Sequence, residues 1–386
     1  MRPNVNWNYP TTVRFGVGRI GELADTCRNL GIARPLLVTD RGLASAAITA
    51  SALASLHSAG LGAALFADLK PNPVEINLLA GLQAYHAGRH DGVVAFGGGS
   101  GLDMGKLIAF MSGQTRPVWD FEDIGDWWTR ADTDGIAPVI AVPTTAGTGS
   151  EVGRAGVLTD ERTHTKRIIF HPRMMPRVVI CDPALTVGMP AKITAGTGMD
   201  ALSHCLEAYC APGFHPMADG IAVEGMRLVA GALHRAVYTP DDLDARADMM
   251  AAAAMGATAF QKGLGGMHAL SHPVGALHDT HHGMTNAVFM PYVLQFNRAA
   301  IGERIARLAA YLGLASPGFD SFLDFILALR ADIGVPHTLR ELGVDDRHAA
   351  LIAEMAIVDP SASGNPRPLA LADAAGIFSA AMDGRL

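Results

Sequence analysis

Five of the fifteen histidines fall in one stretch, GMHALSHPVGALHDTHHG at 266–283: His268, His272, His278, His281 and His282. A solvated helix face has no use for so many imidazoles, and a core rarely tolerates them unpaired. Earlier, in GMDALSH, Asp200 and His204 stand four apart. On a helix that spacing puts both side chains on one face, about one turn apart. His268 and His272 share the spacing, and Pro273 is expected to end or kink their helix. One carboxylate and several imidazoles, with no thiolate, suit Fe(II), Zn(II) or a similar divalent metal; donor softness does not choose among them. Spacing does not say which of the five histidines ligate, and His268 and His272 could both do so. Cys205 adjoins His204 but is rotated about 100° from it on a helix, which leaves it out. A catalytic metal also keeps one position open for substrate.

Two small-residue loops offer a second chemistry. DGVVAFGGGSG at 91–101 reads as a strand running into a glycine loop and then a helix. Without Cβ atoms at Gly97, Gly98 and Gly99, backbone N–H groups approach a phosphate closely, and the helix N-terminus adds a favourable field. Ser100, Asp103 and Lys106 follow. The loop is neither GxGxxG nor a Walker A sequence, and alone it is as readily a tight turn. The second loop, PTTAGTGSE at 143–151, also ends a strand, and Thr144, Thr145, Thr148 and Ser150 bring hydroxyls suited to a ribose or pyrophosphate. Two such loops at strand C-terminal ends make the crevice where open α/β sheets bind ligands. Asp40 ends another strand, ARPLLVTD at 33–40. Its carboxylate could hold a ribose 2′-hydroxyl and repel a 2′-phosphate, or simply cap the next turn.

The elements that must position these groups change character along the chain. Strand-like runs at 12–16, 33–40, 62–67, 91–97 and 136–142 alternate with helical stretches, which argues for a mostly parallel sheet with helices on both faces. KPNP at 70–73 is a turn. Beyond about residue 185 alanine, leucine and methionine at helical spacing dominate. The expected division is an α/β dinucleotide-binding domain over 1–184 and an all-α metal-binding domain over 185–386.

Bulk composition excludes other classes. At 386 residues, two domains are natural. A net charge of −7 argues against nucleic acid, which wants a basic face. Charged residues at 17% are few, pointing to surface buried in a homo-oligomer such as a dimer. The four cysteines form no CxxC pair and read as reduced and buried. The N-terminal stretch lacks a signal-peptide core, and no apolar run is long enough to span a membrane, so a cytoplasmic protein is expected.

GGGSGLDMGK, PTTAGTGSE, the DPALT and GMP stretch at 182–190, GTGMDALSHCLEA and GMHALSHPVGALHDTHHGMTNA together resemble the iron-containing (group III) alcohol dehydrogenases, from about residue 8 to about residue 380. The resemblance implies an NAD-linked enzyme with its metal in the cleft between the two domains. It implies Asp200, His204, His268 and His282 as ligands, and His272 as a residue near nicotinamide and metal that does not ligate. It leaves His278 and His281 without a ligand role, and at His281 the family often has proline. The nucleotide positions it implies are Asp40, Asn72, Gly98, Gly99, Ser100, Asp103, Thr144, Thr145, Thr148, Lys166 and Thr186. Gly101 stands where many relatives have proline, which alters loop stiffness without abolishing phosphate binding. The implied reaction is oxidation of a small primary alcohol, diol or hydroxyacid, or the reverse reduction of an aldehyde. The metal would act as a Lewis acid, with His272 relaying a proton or placing the substrate. Gly153, Ala155, Val157, Ser361 and residues near Phe260 are expected to line the pocket, where Arg154 could meet an anionic group or form a structural ion pair. Maleylacetate reductases share the fold but lack the metal, and the full Asp/His/His/His set argues against them. Glycerol dehydrogenase-like and dehydroquinate synthase-like enzymes fit DALSH with HALSH poorly. A metallohydrolase would have no use for the paired nucleotide loops.

Overall fold

The computed structural model describes residues 11–163 and 165–386; the start of the family resemblance and most of the N-terminal stretch lie outside them. Contacts divide the described chain into two compact units, one comprising residues 11–145 and Gly149–Val187, the other Ala146–Thr148 and Gly188–Leu386. No helix among the described residues is long and apolar enough to cross a membrane.

The first unit is α/β. In chain order it contains β1 (Thr12–Phe15), α1 (Leu23–Asn29), β2 (Pro35–Val38), α2 (Ala47–Ser58), β3 (Ala64–Phe66), α3 (Glu75–Ala87), β4 (Gly92–Gly97), α4 (Gly99–Met111), β5 (Val139–Pro143), β6 (Ala155–Asp160), β7 (Thr165–Phe170) and β8 (Val178–Cys181). Six strands form one sheet in the order β1-β8-β5-β4-β2-β3, every pair parallel. Strands β2, β4, β5 and β8 are buried throughout, which explains their unbroken apolar runs. Along them Leu37, Val94, Phe96, Ile140, Val142 and Ile180 pack with Leu23 and Cys27 of α1 and Leu56 of α2. Alternate residues face the other way, the side on which α4 packs against β2, β4 and β5. The order reverses between β2 and β4, so the ends carrying Asp40 and the glycine loop flank a switch point.

The hairpin of β6 and β7, an antiparallel pair in register from Ala155↔Phe170 to Asp160↔Thr165, is legible in sequence only as the strand-like VLTD. Its burial alternates on β6, and β7 (TKRIIF) is mostly half-buried, so neither strand makes an apolar run. Lys106 ties this hairpin to the sheet. Its ammonium, 2% exposed, donates to the Ser150 carbonyl at 2.9 Å, to Ser150 Oγ at 2.6 Å and to the Ala155 carbonyl, and lies 3.1 Å from Asp103 Oδ1. Asp103 in turn accepts from Ser150 Oγ, and from the Val157 N–H at 3.1 Å. One buried cation thus joins α4 to the loop after β5.

The second unit is helical: α5 (Ala191–Cys210), α6 (Pro216–Tyr238), α7 (Leu243–Ala259), α8 (Gly266–His278), α9 (His282–Tyr311), α10 (Phe319–Asp332), α11 (Ala349–Val358) and α12 (Leu371–Asp383). Every residue of α5 from Thr194 to Cys210 is buried, with α6, α7 and α9 packed around it. Pro273 does not end its helix, which excludes one of the two outcomes the sequence allowed. α8 runs through it to His278 and stops at Asp279, whose φ of 51° is left-handed and whose N–H donates to the Gly275 carbonyl. Burial of Met267, Ala269, Leu270 and Val274 along the same helix outweighs a proline cost of about 3 kcal/mol.

Beside the Lys106 network Glu151 is 2% exposed, and burial pushes its carboxyl up to about 7, against the pull of its own backbone N–H and of Lys106. The acid keeps its proton in the folded chain between its ordinary 4.5 and about 7, so its contribution is complete below 4.5 and is lost as pH rises to 7. We expect Glu151→Gln to gain about 2–3 kcal/mol on the wild type between about pH 4.5 and 8 in urea unfolding, at about 1.4 kcal/mol per unit. A pH-independent difference would contradict this.

Candidate metal centre

Three helices of the second unit converge on one carboxylate. On α5, Asp200, His204 and Glu207 recur at i, i+4 and i+7 and share a face. α8 brings His268 and His272, and α9 starts at His282 with Asn286 one turn later. The ligand atoms of Asp200, His204 and His268 all lie within 4.8 Å of one another, and the three residues are 2%, 5% and 1% exposed. From Asp200 Oδ1 the Nε2 atoms of His204, His268 and His282 are 4.0, 4.0 and 3.6 Å away. The His204 and His268 rings stack at 4.7 Å.

Backbone packing sets these positions. A Cβ at Gly283 would lie 2.1 Å from the Gly196 carbonyl oxygen, so only glycine lets the start of α9 approach α5 and deliver His282. His281 caps α9, its Nδ1 accepting the Met284 N–H at 3.3 Å. His278 closes α8 with its ring 5.7 Å from that of His348.

Glu207 escaped the sequence reading. Its Oε1 accepts the Met267 N–H at 2.6 Å, and its Oε2 lies 2.6 Å from His268 Nδ1. A carboxylate only accepts, so Nδ1 carries the hydrogen. Burial works against the charged His268 ring, but the Glu207 and Asp200 carboxylates raise it above its ordinary value. In the neutral form that a metal requires, its lone pair sits on Nε2, toward Asp200. The signal was present as the i+3 carboxylate in HCLE after His204. Asn286 also went unnoticed: its Nδ2 donates to Asp200 Oδ1 at 2.9 Å and lies 3.2 Å from Nε2 of both His268 and His282.

The residues present fit a divalent metal. They offer one carboxylate oxygen and three imidazoles, with the tautomer of one fixed by Glu207. Burial pushes His204 down to about 4, against the pull of Asp200 and Glu207, so its ring is neutral as ligation requires. Asp200 has no lysine or arginine ion pair among the described residues, and the Asn286 Oδ1 beside it is buried without a partner. His272 stands at the edge of this group, 23% exposed, its ring stacked 5.4 Å from that of His282. Phe260 lies against His204 with ring centroids 5.2 Å apart.

Several of the nucleotide candidates follow adjacent strands of the α/β unit, while Thr148 groups with the helical unit and Lys166 lies within β7. Gly97 pairs with Pro143, and the Thr144 N–H donates to the Gly97 carbonyl at 2.9 Å, so the two loops lie side by side. Gly98 precedes the first turn of α4, and a Cβ at Gly101 would stand 2.9 Å from the Phe96 carbonyl oxygen. Ser100 Oγ donates to the Pro71 carbonyl, joining this turn to the loop that carries Asn72. Asp40 spends Oδ1 on the Leu43 N–H at 3.1 Å, as a turn cap does. Thr145 and Thr148 are half-buried, as is Lys166, opposite Thr159 in the hairpin. Asp103 is committed to Ser150, Lys106 and Val157 as described, and Thr186 is fully buried with its hydroxyl donating to the Pro183 carbonyl. Of the residues expected in a substrate pocket, Gly153, Ala155 and Val157 belong to this unit and Ser361 to the helical one. The Arg154 guanidinium lies 5.4 Å over the Phe170 ring and enters no ion pair among the described residues.

Comparison with known proteins identifies the family. The family model described as iron-containing alcohol dehydrogenase matches residues 10–183, and that of the C-terminal part of the Fe-containing alcohol dehydrogenase family matches residues 194–382. The chain is 39% identical over 375 residues to a 4-hydroxybutyrate dehydrogenase of Cupriavidus necator, covering 95% of this chain and 96% of that one. Among solved structures, a 1,3-propanediol oxidoreductase superposes with a TM-score of 0.93 at 36% identity, over 98% of this chain and 100% of that one. A sulfoacetaldehyde reductase from Bifidobacterium kashiwanohense, solved in complex with NAD+, gives 0.88 at 29% identity, over 98% and 99%. The chain belongs to the iron-containing alcohol dehydrogenase family.

Proposed function

We propose that this enzyme is an NAD(H)-linked dehydrogenase that uses a divalent metal, iron or zinc, to oxidise small primary alcohols bearing a second polar group, and to reduce the matching aldehydes. The observation that carries the reading is the buried set of Asp200, His204 and His268 with His282 beside it. These four would hold the metal, which when bound serves as a Lewis acid toward the substrate oxygen. The backbone N–H groups at Gly98 and Gly99 and the start of α4 would receive the pyrophosphate of NAD, the hydride acceptor. Ser100, Thr144, Thr145 and Thr148 would add hydroxyls, and Asn72, Lys166 and Thr186 complete the proposed nucleotide set. Asp103 would serve it by holding Ser150 in place. Asp40 keeps Oδ2 beyond its turn cap for a ribose 2′-hydroxyl, which favours NAD over NADP. His272 would take the hydroxyl proton at a ring nitrogen during oxidation and return it during reduction. The named substrates of relatives, 4-hydroxybutyrate and 1,3-propanediol, both place a polar group at the far end from a primary alcohol, which supports the substrate class.

The test is a panel of alcohols, diols and hydroxyacids assayed with NAD and NADP, with Fe(II) or Zn(II) added. We expect NAD to be preferred, and His268→Ala to lose metal and activity together. Full activity in metal-free His268→Ala, or better use of NADP, would contradict the respective assignment. Glu207→Gln leaves all four proposed ligands in place but no longer imposes the tautomer of His268. We expect metal affinity to fall about 10–100-fold by competition with a chelator, without loss of fold. Unchanged affinity would show that Glu207 does not orient the ligand.

A further inference from the structure

His268 and His272 sit one turn apart on α8, and each presents its Nδ1 to a carboxylate from another element. For His268 the carboxylate is Glu207 of α5. For His272 it is Asp359, the residue directly after α11 and 87 positions along the chain, with Oδ2 2.8 Å from Nδ1. Asp359 is itself fixed. Its Oδ1 accepts the Ser361 N–H at 2.8 Å, capping the short 3-10 turn Pro360–Gly364, and its side chain is 12% exposed. The carboxylate therefore cannot swing away without uncapping the turn.

We infer that Asp359 is the positioning residue for His272, fixing its ring with Nδ1–H toward the carboxylate so that Nε2 alone receives the substrate proton. This rests on the proton-relay role of His272 proposed above. A carboxylate has no hydrogen to give, so the hydrogen of this contact belongs to Nδ1 and the neutral ring keeps its lone pair at Nε2. Stacking on His282, with ring planes 12° apart, sets the tilt of the ring. In oxidation the substrate O–H bond breaks, its proton forms a bond to Nε2, and the hydride leaves carbon for the nicotinamide. The imidazolium keeps both hydrogens, with its new charge facing Asp359, until Nε2 gives its proton to solvent. The two carboxylates thus separate two histidines that sequence spacing makes alike. Glu207 turns one toward the metal donors, and Asp359 holds the other as a base at their edge.

The experiment compares the metal-loaded wild type with Asp359→Asn, Asp359→Glu and His272→Gln. Asparagine preserves shape but can donate to Nδ1, which permits the other tautomer. We expect Asp359→Asn to lower kcat roughly 100-fold, with bound metal and alcohol KM little changed, and Asp359→Glu to recover part of the loss. A second readout needs no turnover. In 15N-histidine NMR of the zinc-loaded wild type, the resonance missing from His272→Gln should show a protonated Nδ1 and an unprotonated Nε2. Wild-type Nε2–H would overturn the inference, as would Asp359→Asn with full kcat or with lost metal. If His272→Gln loses kcat while Asp359→Asn does not, the positioning role alone fails. If His272→Gln keeps full kcat, the relay itself fails and this inference with it.

Discussion

The helical unit is organised by the burial of one negative charge. Asp200 is 2% exposed in the middle of a helix that is itself wholly buried from Thr194 to Cys210, and no lysine or arginine pairs with it among the described residues. Taking an unpaired carboxylate out of water costs several kcal/mol after relaxation, far more than its neighbouring amide returns. A bound divalent cation would remove that cost, and α5, α8 and α9 bring imidazoles to the same carboxylate. α5 carries its two polar partners at helical spacing, α8 tolerates an internal proline, and α9 comes close enough at Gly283 that no side chain fits between.

The α/β unit meets a similar problem with the opposite sign. There a buried ammonium, Lys106, is satisfied by two carbonyls, a hydroxyl and Asp103. The same contacts hold the end of β5 and the start of β6 to α4. In both units a desolvated charge whose neighbours come from separate segments fixes those segments more narrowly than apolar packing does, because each partner must meet it at hydrogen-bonding distance. Both charges lie next to groups proposed to act on ligands, where tolerance for misplacement is small.

Much of this was legible in the sequence. The buried parallel strands announce themselves as apolar runs, and the helical half by its alanine, leucine and methionine spacing. The density of histidines and the spacing of Asp200 and His204 pointed to a metal, while the choice of Asp200, His204, His268 and His282 as ligands came from the family resemblance and is a proposal; the structure groups the first three within 4.8 Å. Glu207 and Asp359 were not legible. A carboxylate that acts through an imidazole has no motif of its own, and Asp359 meets His272 only through the tertiary fold, 87 residues away. The hairpin of β6 and β7 was half-hidden because half-buried strands carry a weak apolar signal. Pro273 did not end its helix because local backbone preference is a prior that packing can override. The density of histidines at 266–283 also conceals a division of labour: one caps a helix and another packs against His348.

The central claim is that Asp200, His204, His268 and His282 are the ligands and His272 is not. Anomalous diffraction at the metal absorption edge, from crystals of the iron- or zinc-loaded enzyme, addresses it directly. The account predicts a single strong peak in the helical unit, about 2.0–2.2 Å from an Asp200 oxygen and from Nε2 of those three histidines. A peak elsewhere, or one coordinated by His272 in place of His282, would contradict it.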